Sequence, residues 1–273
     1  MISVLILTYN EEQDLPAALA SVSWCDDIHV FDSFSTDATV NLARTAGATI
    51  TQRAFDNYAA QRNAALDTLP FRHDWIFILD ADERVPPELG AELQSVTEST
   101  PQEVAAYKVR RRDFLFDTWL RHAQMSPWYV RLIRRGRARY WREVNEVLQP
   151  DGEVRSLLHP LDHYPFSKGI DHWKAKHNRY STLEAKWTVE QSRTQNYSIR
   201  KALFNPDFHE RRLHQKGLFY RLPGRPLIKF AYLYILRRGF LDGRAGYTYA
   251  RLQAAYERSI VMKTRKIAAQ KSS

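Results

Sequence analysis

The sequence predicts an α/β fold, with a mostly parallel sheet flanked by helices and a helical, basic C-terminal extension. Apolar runs typical of buried strands alternate four times with helical periodicity in the first hundred residues. This alternation implies parallel strands joined by right-handed crossovers. The last hundred residues carry helical periodicity with many Lys and Arg side chains instead. The 44% apolar content of 273 residues is sufficient for a substantial core.

The elements of the first hundred residues follow in a regular order. Strands are predicted at residues 2–7, 28–32, 48–51 and 75–79. Helices are predicted at residues 15–22, from near Asp37, and over 57–69. Asn10 is predicted to cap the first helix, and Asp37 the second, because short polar side chains accept hydrogen bonds from the free amides there.

The pattern becomes irregular after residue 104. Strands are predicted at residues 107–116, 128–134 and 138–141, and a helix at 171–193. A loop is predicted around Pro206, Pro223 and Pro226, and the chain ends in another helix. We therefore divide the chain into a core over residues 1–165 and a helical basic extension over 166–273.

The net charge of +9 is distributed unevenly. Residues 1–100 hold 5 Arg, no Lys and 16 acids, whereas residues 101–273 hold 35 basic and 15 acidic residues. This asymmetry suggests two surfaces with different partners and argues against a uniform nucleic-acid coat. The single cysteine excludes a disulfide framework.

No membrane-crossing segment or signal peptide is expected. The apolar start lacks a basic region, and the longest later apolar run, residues 230–236, is seven residues long. About 20 residues are needed to cross a bilayer. We therefore expect a cytoplasmic protein whose contact with a membrane is peripheral.

Polar side chains follow three of the predicted strands. They are Thr8-Tyr9-Asn10-Glu11, Asp32 and Asp80-Ala81-Asp82. Parallel sheets bind ligands at the carboxyl ends of their strands. Two carboxylates one residue apart there can hold Mg²⁺ or Mn²⁺ together with a diphosphate. The alternative is a solvated turn in which Glu83 caps a helix that starts at Pro86-Pro87; the neighbouring strand ends favour the metal site.

This constellation resembles the family 2 glycosyltransferases, which have the nucleotide-diphospho-sugar GT-A fold, and most closely their lipopolysaccharide-core β-glucosyltransferase branch. The stretches that carry the resemblance are 2–12, 32–39, 58–65 and 80–84, with a further match at 239–246. The resemblance implies a nucleotide-binding half over 1–100 and an acceptor half over 101–165. It also implies transfer of a sugar from a UDP-sugar, UDP-glucose first, to a cell-envelope glycan or lipid-linked acceptor such as lipopolysaccharide core.

The resemblance also assigns roles to residues of this chain. The implied nucleotide-sugar-binding residues are Thr8, Tyr9, Asn10, Glu11, Asp32, Arg62, Asp80 and Ala81. Among these, Asp32 would bind the base and Asp80 the ribose, while Asp82 would hold Mg²⁺ or Mn²⁺ on the diphosphate. For Arg62, a nucleotide contact and an exposed helix charge both remain open.

Inverting sugar transfer also needs a carboxylate base for the acceptor hydroxyl. Relatives place it in a His-Glu pair, which here corresponds to Asn145-Glu146. Glu146 is the preferred base and Glu143 the alternative. If neither is catalytic, the glutamate has a structural role, in which it lies in a strand and pairs with a neighbouring arginine. The Gln-x-x-Arg-Trp motif of processive synthases is absent, which predicts addition of one sugar.

Three histidines follow in the next segment, His159, His163 and His172. Their irregular spacing favours ordinary polar side chains over a metal site. His163-Tyr164 resembles an element on the acceptor side of relatives, which would give His163 a supporting role.

Two interpretations of the basic half remain. We favour attraction to an anionic membrane that carries a phosphorylated acceptor, with residues 226–239 in the interface, unless these form a buried core helix. The alternative function is a basic nucleic-acid-binding protein that uses the Arg-rich half. It leaves the acidic strand ends unexplained, so we expect no nucleic-acid partner.

Overall fold

A computed structural model describes residues 1–141, 147–194 and 196–270. The chain forms two compact units. The first, called the sheet unit, comprises residues 1–114 and 126–167, and the second, called the helical unit, comprises residues 115–125 and those from 168 onward. The division after Ser167 lies two residues from the predicted boundary, and the segment 115–125 belongs to the second unit.

The strands are β1 (Ile2–Thr8), β2 (Ile28–Asp32), β3 (Thr49–Gln52), β4 (Trp75–Asp80), β5 (Glu83–Arg84), β6 (Val104–Leu115), β7 (Thr118–Trp119), β8 (Trp128–Arg134), β9 (Ala138–Trp141), β10 (Val147–Pro150), β11 (Glu153–Ser156) and β12 (Leu161–His163). The α-helices are α1 (Leu15–Ser21), α2 (Thr39–Thr45), α3 (Tyr58–Thr68), α4 (Pro87–Ser99), α5 (Gly169–Thr194), α6 (Ile199–Phe204), α7 (Phe208–Arg221), α8 (Arg225–Ala231) and α9 (Gly243–Gln270). A π-helical turn, Tyr232–Leu236, and a 3₁₀ turn, Gly239–Asp242, connect α8 to α9.

The main sheet has the order β3-β2-β1-β4-β8-β6-β12-β5, with β11 beside β6. The first four strands of this order are mutually parallel. Strand β8 is antiparallel to both β4 and β6. The register pairs Thr8 with Asp32 and Leu7 with Asp80, so the carboxyl ends of β1, β2 and β4 lie at one edge. The mostly parallel sheet predicted from the sequence is confirmed.

The core of the sheet unit lies on both faces of this sheet. Along β1, Val4 and Ile6 pack into one apolar cluster and Leu5 into the other, because successive strand side chains point to opposite faces. Leu15 of α1 joins the first cluster, and Ala65 of α3 joins the second. Fully burying one such aliphatic side chain contributes about 1.5–3 kcal/mol. This two-sided burial holds the strand ends in place.

The helical unit is built around α9, against which α5 and α8 pack. The ammonium group of Lys263 on α9 donates to the Asn178 carbonyl and to the Ser181 hydroxyl of α5. Close packing also explains residues 239–246. A Cβ at Gly246 would lie 1.9 Å from the Gly239 carbonyl oxygen, so no larger residue fits. In this unit none of the described helices combines the length and apolar character that crossing a membrane would require.

Some local predictions about the helices are wrong. Asn10 does not cap the first helix, because α1 begins at Leu15, and the Asn10 side-chain oxygen accepts a hydrogen bond from the Thr36 amide instead. The loop predicted around Pro206, Pro223 and Pro226 is wrong as well, because α6 and α7 flank Pro206 and Pro226 lies in the first turn of α8. Ser198 caps α6 and Asp207 caps α7, each through a side-chain oxygen that accepts a backbone amide.

Candidate active site at the carboxyl edge of the sheet

Asp32 organises the edge at the end of β2. Its buried carboxylate accepts hydrogen bonds from the Thr8 hydroxyl (2.9 Å), the Ser35 amide (2.8 Å) and the Gln52 side chain (3.0 Å). These bonds join the ends of β1 and β3 to the loop after β2. Asp32 therefore fixes the shape of this edge, and its contact with a base stays a prediction.

The neighbouring residues divide between structural and exposed positions. The Glu11 amide donates to the Thr39 hydroxyl (2.8 Å), which joins the loop after β1 to α2. Asp37 accepts the Thr39 amide (3.0 Å), but Ala38 occupies the N-cap position of α2, so the prediction that Asp37 caps this helix is wrong. The rings of Tyr9 and Phe34 are exposed beside these loops. This edge of the sheet thus combines hydrogen-bonded polar loops with exposed aromatic rings.

Asp80 is held between two arginines. Arg62 Nη2 lies 2.9 Å from one carboxylate oxygen and Arg131 Nη2 lies 2.6 Å from the other. Burial disfavours the charged carboxylate, but the positive charges of Arg131 and Arg62 outweigh it and lower the pKa of Asp80. Asp80 is consequently ionised. Arg62 is buried by this contact, so the interpretation of Arg62 as an exposed charge is wrong.

Glu83 lies beneath the same group and is 0% exposed. One of its oxygens accepts from Arg131 Nη2 (2.5 Å), and the other accepts the Asp80 amide (3.0 Å). Burial raises the pKa of Glu83 despite the charge of Arg131. The interpretation of Glu83 as a helix cap is wrong, because α4 begins at Pro87 and this carboxylate supports the Asp80 turn.

Asp82 faces a histidine from a distant part of the chain. Its Oδ2 lies 3.2 Å from Nε2 of His163, and His163 Nδ1 lies 2.5 Å from Asp113 Oδ1. The pairing of β12 with both β5 and β6 brings these groups together. Burial opposes protonation of the imidazole, but the charge of Asp82 and the hydrogen bond to Asp113 outweigh it and raise the pKa of His163 to about 9.

Asp82 and His163 fit a divalent cation that displaces the Nε2 proton of the imidazole, because metal binding to histidine releases that proton. A carboxylate and a neutral imidazole suit Mn²⁺, and a carboxylate with phosphate oxygens suits Mg²⁺. Within the described residues no group of three or more His, Cys, Asp or Glu side chains forms a complete cation site. This part of the chain therefore offers Asp82 and His163 as candidate ligands, and a bound diphosphate and water would have to complete the shell.

Two members of this site, Arg131 and Asp113, were not predicted from the sequence, and His163 was predicted to have only a supporting role. No spacing pattern reveals them, because 81 residues separate His163 from Asp82 and 51 separate Arg131 from Asp80. The predicted base Glu146 and its alternative Glu143 lie outside the described residues, between the paired strands β9 and β10.

Comparisons with known proteins agree with this geometry. Residues 3–155 match the model of Glycosyl transferase family 2. The chain is 31% identical to lipopolysaccharide core biosynthesis glycosyltransferase LpsC of Rhizobium meliloti (strain 1021), over 93% of this chain and 90% of that protein. It is 29% identical to an uncharacterized glycosyltransferase of Rickettsia bellii (strain RML369-C), over 70% and 69% of the two chains.

A solved structure shares the fold. The mannosyltransferase PcManGT from Pyrobaculum calidifontis, determined in complex with GDP-Man and Mn²⁺, superimposes with a TM-score of 0.56 at 15% identity. The match covers 96% of this chain and 86% of that one. Together with the family match over more than half of the chain, this places the mostly parallel sheet in the GT-A fold. The chain belongs to glycosyl transferase family 2 and is a glycosyltransferase.

Proposed function

We propose that this glycosyltransferase is inverting and metal-dependent and moves one sugar from a UDP-sugar, UDP-glucose first, to a cell-envelope glycan or lipid-linked acceptor such as lipopolysaccharide core. The observation that carries the proposal is the meeting of Asp82 and His163 beside the ionised Asp80. Similarity to LpsC over most of both chains supports the acceptor class. The mannosyltransferase structure that contains Mn²⁺ and a nucleotide sugar supports the metal-dependent class.

Asp82 and His163 would hold Mg²⁺ or Mn²⁺ in this proposal. When bound, the cation offsets the negative charge that grows on the departing UDP. Asp113 accepts a hydrogen bond from His163 Nδ1, which directs Nε2 toward Asp82. Such a carboxylate–histidine contact fixes the tautomer and the orientation of a metal-binding ring.

The other predicted site residues would bind the nucleotide sugar. They are Thr8, Tyr9, Asn10, Glu11, Asp32, Arg62, Asp80 and Ala81. Arg62 and Arg131 keep Asp80 charged and fixed, so its remaining lone pairs are available to ribose hydroxyls. The exposed ring of Tyr9 offers a surface on which a base can stack.

We expect UDP-glucose to raise the melting temperature of the protein when Mn²⁺ or Mg²⁺ is present, but not in EDTA. A ligand at a hundred times its Kd adds about 2.7 kcal/mol of stability. For a chain of this size, the corresponding shift is roughly 5–10 °C. A thermal-shift screen should compare UDP-glucose with other nucleotide sugars. A screen in which no nucleotide sugar has any effect, with or without metal, contradicts the proposal.

Glu146→Gln is expected to retain the metal-dependent donor response while losing sugar transfer. Removing a general base typically costs about 10²- to 10⁴-fold in rate, without changing donor contacts. UDP release in the presence of an acceptor extract measures the rate, and Glu143→Gln serves as the matched variant. Full activity of Glu146→Gln together with an inactive Glu143→Gln would transfer the role to Glu143.

The basic second half adds a cellular location to the proposal. Lys and Arg near an anionic membrane each contribute about 1 kcal/mol of attraction. The 35 basic residues of positions 101–273 support peripheral association with the inner face of the cytoplasmic membrane, where a phosphorylated lipid-linked acceptor would be found. In this proposal nucleic acid is not a partner.

A further inference from the structure

Exposed apolar side chains follow one another along α8 and the two turns that connect it to α9. We call them the apolar patch, and its members are Leu227, Ile228, Ile235, Leu236, Phe240 and Leu241. Leu227 is 77% exposed, Leu236 is 74% exposed and Ile235 is 63% exposed. Contiguous apolar side chains at this exposure mark a contact surface, because soluble proteins rarely leave them in water.

The segment that carries the apolar patch is rich in positive charge. Residues 199–241 contain ten Lys or Arg and only two acids, Asp207 and Glu210. Arg238 is exposed within the patch segment itself, between Leu236 and Phe240. An apolar face with cationic flanks complements an anionic lipid surface, where aliphatic side chains enter the acyl boundary and cations meet the headgroups.

A basic cavity adjoins the start of α8. It measures about 360 Å³, and its lining includes Arg221, Arg225 and Arg265 together with the apolar side chains Leu222 and Pro226. Arg221 and Arg265 are exposed, so their guanidinium groups are accessible from solvent. Arginines around a small cavity suit a phosphate group, which accepts hydrogen bonds from the guanidinium fork.

Arg225 forms the buried wall of this cavity. It is 4% exposed, and its Nη2 lies 2.9 Å from Oε1 of Glu257. Its Nε has no hydrogen-bond partner within the described part of the chain. This N–H is buried and the charge of Arg225 is paired with Glu257, so Arg225 shapes the wall of the cavity while the exposed Arg221 and Arg265 are the groups that reach a bound anion.

We propose that the apolar patch enters the interface of an anionic bilayer while the basic cavity binds the phosphate of one phospholipid headgroup. The inference deepens the proposed function and rests on it for the peripheral membrane location. The headgroup site lies at the first residues of α8, next to Leu227 in the sequence, so one segment supplies both contacts.

Vesicle sedimentation of the full chain tests the apolar patch. We expect binding to phosphatidylcholine vesicles that contain phosphatidylglycerol, and about tenfold weaker binding for Leu227→Asp and Ile235→Asp, tested singly. Leu183→Asp, at an exposed leucine on α5, is the matched control and should bind normally. Equal loss in the control, or no loss in either patch variant, overturns the proposal. Circular dichroism checks that each variant is folded. If one of the two patch variants does not fold, the other one serves as the test.

The basic cavity is tested by reversing its two exposed arginines. Arg221→Glu/Arg265→Glu should lose the preference for phosphatidylglycerol over pure phosphatidylcholine, whereas the charge-matched Arg179→Glu/Lys186→Glu on α5 should keep most of it. If both double variants lose the preference equally, nonspecific charge explains the binding, and this result contradicts the proposed headgroup site.

Two further outcomes would also overturn the inference. If inorganic phosphate stabilises the protein through Arg221 and Arg265 while vesicles do not bind, the cavity takes a free anion. If light scattering shows a dimer that Leu227→Asp dissociates, the apolar patch contacts a second copy of the chain. The UDP-glucose response with Mn²⁺ is measured in every variant, so a failure of membrane binding is distinguished from a failure of the proposed function.

Discussion

Asp82→Ala is expected to abolish the metal-dependent rise in melting temperature that UDP-glucose gives, together with sugar transfer. In the proposed site Asp82 supplies the anionic protein ligand, and Nε2 of its partner His163 lies 3.2 Å away. Without Asp82, only the imidazole, once its Nε2 proton is displaced, and the diphosphate remain as ligands, which is a weak set for a hard cation. The Tm shift should fall to the value in EDTA, and transfer should fall by at least roughly 10³-fold.

The control for this variant is Asp74→Ala. Asp74 is an exposed carboxylate immediately before β4, and Asp80 ends the same strand. The two substitutions change the same charge at opposite ends of one strand. Asp74→Ala should therefore keep the full Mn²⁺ response. If Asp82→Ala also keeps it, the cation is bound elsewhere, and the assignment of the metal site is wrong.

The sheet of the first unit was predictable because its signals are local. Strands buried on both faces leave continuous apolar runs, and the predicted strand at residues 28–32 matches β2 (Ile28–Asp32). The parallel order follows from alternation with helices, and it places the ends of β1, β2 and β4 together. The acidic edge of the candidate site could thus be predicted without coordinates.

The remaining part of the site depends on contacts between distant segments. His163 lies in a three-residue strand whose register against β6 places it opposite Asp113. Such a short strand has no detectable period, so neither the strand nor its register follows from the sequence. Arg131 belongs to a predicted strand, but its partners are set by the antiparallel pairing of β8 with β4.

The helices near Pro206 and Pro223 were not predicted for a different reason. Pro206 and Pro223 lie next to the ends of α7 and interrupt the helical pattern, which led to the prediction of a loop. A local signal was nevertheless present. Asp207 and Glu210 stand three residues apart, a spacing typical of a helix start, and Asp207 accepts the Glu210 amide at 2.8 Å.

Arg131→Met is expected to lower the free energy of unfolding by about 3–5 kcal/mol, the usual cost of leaving a buried charge without its partner. Arg131 Nη2 contacts Asp80 at 2.6 Å and Glu83 at 2.5 Å, so its loss leaves two carboxylates facing each other. Chemical denaturation measures the change. Arg139→Met is the matched control, because Arg139 and Asp67 form an exposed pair at 3.2 Å, which contributes about 0–1 kcal/mol.

The double variant Glu83→Gln/Arg131→Met separates the uncompensated charge from the loss of packing. Glutamine has nearly the shape of glutamate but no charge, so the double variant should be more stable than Arg131→Met alone. That outcome would mean that Arg131 stabilises the fold mainly by neutralising Glu83 and Asp80. If the double variant loses as much stability as the sum of the single changes, the two residues act independently. In that case Arg131 is not the partner that allows a fully buried glutamate beneath the Asp80 turn.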